Sequence, residues 1–114
     1  MYALTSKGIT LGKLDRAEES INWLDKALEI DPKSVNALNS KAVSLWILGK
    51  YEESINWVDK TLAVDPKNIR ALTLKGSLLY DLGKKEEALT WIDKALAIDP
   101  NNPLVISAKT HVQG

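Results

Sequence analysis

The groups in this chain best suited to acid–base chemistry are its carboxylates. Glu18-Glu19, Glu52-Glu53 and Glu86-Glu87 are adjacent pairs, and Asp25-Lys26, Asp59-Lys60 and Asp93-Lys94 set a carboxylate beside an ammonium. Two carboxylates held in different environments are the equipment of general acid–base catalysis. Each arrangement occurs three times over, however, whereas a reaction centre is a single constellation. Acidic pairs that recur at helix starts complement the helix dipole and face solvent. His111 is the one histidine, so no two-histidine metal site can form, and the absence of cysteine removes disulfides, thiol catalysis, zinc ribbons and iron–sulfur clusters. No phosphate-binding glycine loop or HExxH pair is present. The sequence therefore predicts no enzyme, no metal and no cofactor.

The copying has a fixed period. Asp31-Pro32, Asp65-Pro66 and Asp99-Pro100 lie 34 residues apart, as do Trp23, Trp57 and Trp91. Residues 1–34 and 35–68 share 18 identities without a gap. A gap-free period over three copies marks a repeated supersecondary unit, here 1–34, 35–68 and 69–102, with a half unit at 103–114. These are expected to form one array.

Two helices are legible in each unit. Ala37, Leu38, Lys41, Ala42, Leu45 and Leu48 recur at steps of three and four. Gly49 follows, suited to the left-handed residue that ends a helix. The next helix starts near Glu52, carries Ile55, Val58, Thr61 and Leu62 on one face, and stops before Pro66. Ser34, Asn68 and Asn102 stand where the following helix needs an N-cap, and Pro103 suits a first helical position. The expectation is an all-α chain of seven antiparallel helices stacked into a right-handed superhelix. An apolar content of 45% and a charged content of 26% fit a packed chain rather than a disordered one.

The pattern Leu38, Ala42, Leu45, Gly49, Ser54, Thr61, Pro66, repeated as Leu72, Gly76, Leu79, Gly83, Ala88, Ala95, Pro100, resembles the signature of the tetratricopeptide repeat (TPR) family. The first copy reads Leu4, Gly8, Leu11, Asp15, Ser20, Ala27, Pro32, so aspartate stands where the others have glycine. Lys7, Lys41, Lys75 and Lys109 occupy a column where the family often has leucine. The resemblance implies a TPR solenoid that acts as a protein–protein interaction scaffold, holding an extended or helical partner segment in a concave groove. The residues it places there are Tyr2, Thr5 and Ile9 from the first unit, and Asn36, Asn39, Ser40, Val43 and Trp46 from the second. The third supplies Arg70, Thr73, Leu74, Ser77 and Tyr80. Leu104, Ser107, Ala108 and His111 continue the groove.

The subclass that grips the carboxylate tail of cytosolic chaperones needs several cationic and amide groups, carried here onto Thr5, Ile9, Ser40, Arg70 and Leu74. A single arginine does not make that clamp, so chaperone-tail binding is not expected. The alternative is a structural, self-associating array, with Leu104, Val105, Ala108 and Val112 as its edge because no second helix follows them. Fifteen basic residues against fifteen acidic ones give zero net charge, which provides no electrostatic footprint for nucleic acid. No apolar run approaches membrane-spanning length. A protein or peptide ligand, a homo-oligomer and a cytoplasmic setting are the expectations, with no nucleic-acid or membrane partner.

Overall fold

The structure, a computed structural model, describes residues 2–114, with side chains from Arg16 onward. Among the described residues there are six helices and no strands: α1 (Tyr2–Ile30), α2 (Val35–Ile47), α3 (Tyr51–Val64), α4 (Ile69–Asp81), α5 (Lys85–Ile98) and α6 (Pro103–Gln113). None of the described helices is long and apolar enough to cross a membrane.

Helices α2, α4 and α6 begin at the expected caps. Ser34 Oγ accepts from the Ala37 amide at 3.4 Å and Asn68 Oδ1 from the Ala71 amide at 2.9 Å. Asn102 Oδ1 accepts from the Leu104 amide at 3.0 Å, with Pro103 in the first turn. Helices α2 and α4 end on Gly49 and Gly83, at φ of +79° and +82°. There Lys50 N donates to Leu45 O and Lys84 N to Leu79 O, at 2.9 and 2.8 Å. These reverse bonds satisfy carbonyls that a helix end leaves open, and glycine adopts the required left-handed geometry at no steric cost.

The first unit departs from the expected seven helices. Its two helices run together as α1, 29 residues long. Asp15 occupies the column of Gly49 and Gly83, and the left-handed conformation that would stop the helix costs a residue with a Cβ about 1 kcal/mol or more. Continuing the helix keeps the backbone hydrogen bonds without that cost.

The core is built around α4. Leu72 and Leu79 pack with Ala88, Ile92 and Ala95 of α5 and with Val105 and Val112 of α6. Ala71, Leu74 and Leu78 pack with Ala42 of α2 and Val58 of α3. Gly76 is required by a close approach, since a Cβ there would lie 2.5 Å from Ile92 Cγ1. Of the expected association edge, Val105 and Val112 are buried, at 0% and 2% exposure. Helix α6 seats this stripe against α4 and α5, so only Leu104 and Ile106 among its large apolar side chains are left exposed. Ala108 is half-buried.

The lysine column has a structural purpose. Lys41 pairs with Asp25, Lys75 with Asp59 at 2.6 Å, and Lys109 with Asp93 at 2.9 Å, each bridging a second helix to the following first helix. The Lys41 ammonium also lies 3.9 Å from the centroid of the Trp57 ring, and that of Lys75 4.1 Å from Trp91. Lys60 and Lys94 approach the same rings. A leucine here would pack but could not link both a carboxylate and an aromatic face.

Candidate functional site

Helices α2, α4 and α6 together line a groove of about 650 Å³. Its wall on α2 is Asn39, Ser40, Val43, Ser44 and Trp46; α4 adds Arg70, Thr73, Leu74 and Ser77; α6 adds Leu104, Ser107, Ala108 and His111. The helical period accounts for this set. Positions 40, 43 and 44, or 70, 73, 74 and 77, fall on one face of a helix, while the opposite face of α4 carries the core side chains Leu72 and Leu79.

The floor and the walls differ in character. Thr73, Leu74, Asn39 and Ser44 are buried and form the floor, and Thr73 Oγ1 donates to its own helix at Ile69 O, 2.8 Å away. Asn39 Nδ2 donates to Asn68 Oδ1 at 3.2 Å, tying the middle of α2 to the cap of α4. Asn39 Oδ1 is buried without a hydrogen-bond partner among the described residues. Trp46 is half-buried and its indole N–H donates to Asp81 Oδ2 at 2.7 Å, which fixes the ring at one end of the groove. Val43 and Leu104 expose apolar surface on opposite walls. Arg70 is exposed and is the permanently charged group among the lining residues. The site thus offers apolar contact, hydroxyl groups, the His111 imidazole and one guanidinium, the mixture of a recognition site.

Twelve of the residues expected in the groove line it: Asn39, Ser40, Val43, Trp46, Arg70, Thr73, Leu74, Ser77, Leu104, Ser107, Ala108 and His111. Asn36 is exposed but does not line it. Tyr80 does not line it either; its ring packs against His111 in an edge-on contact, with centroids 5.2 Å apart and planes at 70°. Tyr2, Thr5 and Ile9 lie outside the residues whose side chains are described. Leu104 and Ala108, expected both in the groove and on an association edge, are groove wall. Ser44 was missed, although its place one helical turn beyond Ser40 was the available signal.

A family model described as anaphase-promoting complex, cyclosome, subunit 3, a model of TPR type, matches residues 13–95. No curated protein matches the chain. Among solved structures, the first TPR of Spaghetti (RPAP3) bound to the HSP90 peptide SRMEEVD superposes with a TM-score of 0.81 at 21% identity, over 98% of this chain and 89% of that one. The second TPR domain of human RPAP3, in complex with the HSP70 peptide SGPTIEEVD, gives 0.80 at 19% identity over 96% and 92%. The Yersinia enterocolitica type III secretion chaperone SycD, in complex with a peptide of the translocator YopD, gives 0.77 at 17% identity over 98% and 88%. At these identities the likeness is one of fold.

Proposed function

The chain belongs to the family described as anaphase-promoting complex, cyclosome, subunit 3, a tetratricopeptide-repeat family, and on that premise we propose that it is a protein-interaction module whose groove across α2, α4 and α6 holds a segment of a partner protein. The observation that carries this reading is the groove itself. Its volume of about 650 Å³ admits several residues of a peptide. Its mixture of apolar walls and a few fixed polar groups is that of a recognition site. Val43, Trp46 and Leu104 take an apolar anchor of the partner, the usual centre of an interface. Arg70 takes a carboxylate on the same segment.

The HSP90 and HSP70 peptides of the RPAP3 structures, SRMEEVD and SGPTIEEVD, end in aspartate, and the groove differs from what a carboxylate clamp needs. At the clamp positions described here stand Ser40, Arg70 and the buried, apolar Leu74. One guanidinium holds one acidic group, so the partner is a mainly uncharged segment with an apolar anchor and a single acidic residue.

A peptide library panned against the chain tests this. Selected peptides should bind Trp46→Ala and Arg70→Ala more weakly by ~1–3 kcal/mol each, while Lys67→Ala, in an exposed turn, leaves binding unchanged. Amidating the C-terminus of a selected peptide should leave its affinity intact. Equal binding to the parent and both groove variants would place the site elsewhere, and loss of binding on amidation would restore the clamp.

A further inference from the structure

Resting on the groove reading above, we propose that the partner segment lies in the groove in extended form, with one of its main-chain N–H groups donating to Asn39 Oδ1. This bond completes a row of hydrogen-bonded side chains, Asn39, Asn68 and Asp65, that runs from the groove floor to the turn between α3 and α4.

Most of the row is already in place. Asn68 Oδ1 accepts from the Ala71 amide at 2.9 Å, and Asn68 Nδ2 donates to Asp65 Oδ2 at 3.3 Å. These two bonds fix which atom of the Asn68 side chain is the oxygen. Asn39 therefore meets an acceptor and presents its Nδ2 to it, at 3.2 Å. The Asn39 oxygen is left over, buried and without a hydrogen-bond partner among the described residues. Asn39 is 8% exposed and lines the groove. A buried acceptor left open carries a desolvation cost that a ligand's donor removes.

The chemistry of the floor selects the donor. Thr73 stands in the Asn39 column one unit on, buried, with its hydroxyl hydrogen committed to Ile69 O at 2.8 Å. Both groups commit donors to the protein and have oxygen lone pairs left over. A helical partner has bonded its own N–H groups internally beyond the first turn, whereas an extended segment offers free N–H groups along its length. Among the described residues no carboxylate lines the groove. An ammonium or guanidinium brought to the floor would thus lose its hydration without a counter-charge, and a main-chain amide meets the demand without that cost. Ser40, beside Asn39 on the groove wall, is short and exposed, so approach asks for side-chain rotation and no displacement of helices.

The row is confined to one junction. Asn102 also caps its helix and also donates to a turn aspartate, Asp99, at 3.2 Å. The residue that could reach it from the Asn39 column is Thr73, whose hydroxyl goes to its own helix, so that cap has no link to the groove floor. At the α3–α4 junction, by contrast, a ligand N–H holds the Asn39 amide, which holds Asn68. Hydrogen bonds in series order one another, so the Asn68 cap on Ala71 should open less often when the groove is filled.

The test uses the full chain and a selected peptide whose binding falls with Trp46→Ala and Arg70→Ala. Its main-chain amides are replaced by esters one at a time, each of which deletes a single N–H. One ester should weaken binding to the parent about three- to tenfold, the worth of one net hydrogen bond. The same ester should cost nothing on Asn39→Thr, a variant carrying the residue that position 73 already accommodates in that column. Amide exchange followed by NMR is the second readout. The Ala71 amide should exchange more slowly in the parent complex than in the Asn39→Thr complex, while the Val105 amide at the Asn102 cap does not distinguish the two. A peptide that depends on Trp46 and Arg70 but tolerates every ester, or pays equally for its ester on both chains, overturns the proposal and leaves the groove reading standing. An ester effect confined to the parent with no change at Ala71 overturns the row beyond Asn39. Selected peptides indifferent to Trp46 and Arg70 overturn the groove reading and the proposal together.

Discussion

Gly76 and Ile92 define how closely the two helices of the third unit approach, and Ala42 and Val58 do the same in the second. Each side-chain volume is matched to the one across from it. Gly76→Ala removes a helix-interior glycine, which by propensity alone stabilises by ~1 kcal/mol, yet its Cβ would sit 2.5 Å from Ile92 Cγ1 and 3.0 Å from Ala88 O. Overpacking of that kind costs about 1–3 kcal/mol, so Gly76→Ala should lower stability in urea unfolding. Adding Ile92→Val, which reproduces the pairing of the second unit, should recover most of the loss. A single mutant more stable than the parent would show that the helices part easily there. The groove is legible at this scale only in part. Ser40, Val43, Arg70 and Ser77 follow from helical period and family column alone. Tyr80 shares a column with Trp46, but the edge-on contact with His111 draws its ring toward α6, and a contact between residues 31 apart leaves no local trace in sequence.

The helices from α2 onward were readable because their stop and start signals are local. A glycine with positive φ, an Asp-Pro turn and an Asn or Ser cap each act within a few residues. The turns at Pro32 and Pro66 are held by Asp31 Oδ1 accepting from the Lys33 amide and Asp65 Oδ1 from the Lys67 amide, the side-chain mimicry that makes Asp a turn residue. The first unit was misread for the same reason in reverse. Everything but one stop residue is present, and the periodic apolar pattern on both sides of Asp15 is equally good for one helix or two. The caps themselves differ in what else they hold. Asn102 caps α6 and donates to Asp99, whereas Asn68 caps α4, donates to Asp65 and also accepts from Asn39 Nδ2. Asn68→Ala should therefore cost more than Asn102→Ala, with cap loss worth ~1 kcal/mol in each and the former adding a second unsatisfied group at the buried Asn39 amide. Thermal unfolding of the two variants side by side checks the order.

Over the whole molecule, α4 is the element on which the others converge, with α2, α3, α5 and α6 all contacting it. Its amides at 71–79 should be the slowest to exchange with deuterium and those of α1 around 20–28 should exchange faster, because four other helices pack on α4 and stacked units fray from their ends. Equal protection in the two segments would mean that the stack opens as a single unit. The lysine column has a mechanical consequence. The ties Lys41–Asp25, Lys75–Asp59 and Lys109–Asp93 each cross from one 34-residue unit to the next, and Lys41 and Lys75 then rest on the tryptophan of their own unit. A load applied along the stack is carried by these ties and by the apolar seam beside them, while the Asp-Pro turns act as hinges in parallel. The chain is in this sense a short spring of coupled coils. Tension shears the ties before it uncoils a helix, and the pitch of the groove, set by how the coils sit on one another, changes with the force that its two ends bear.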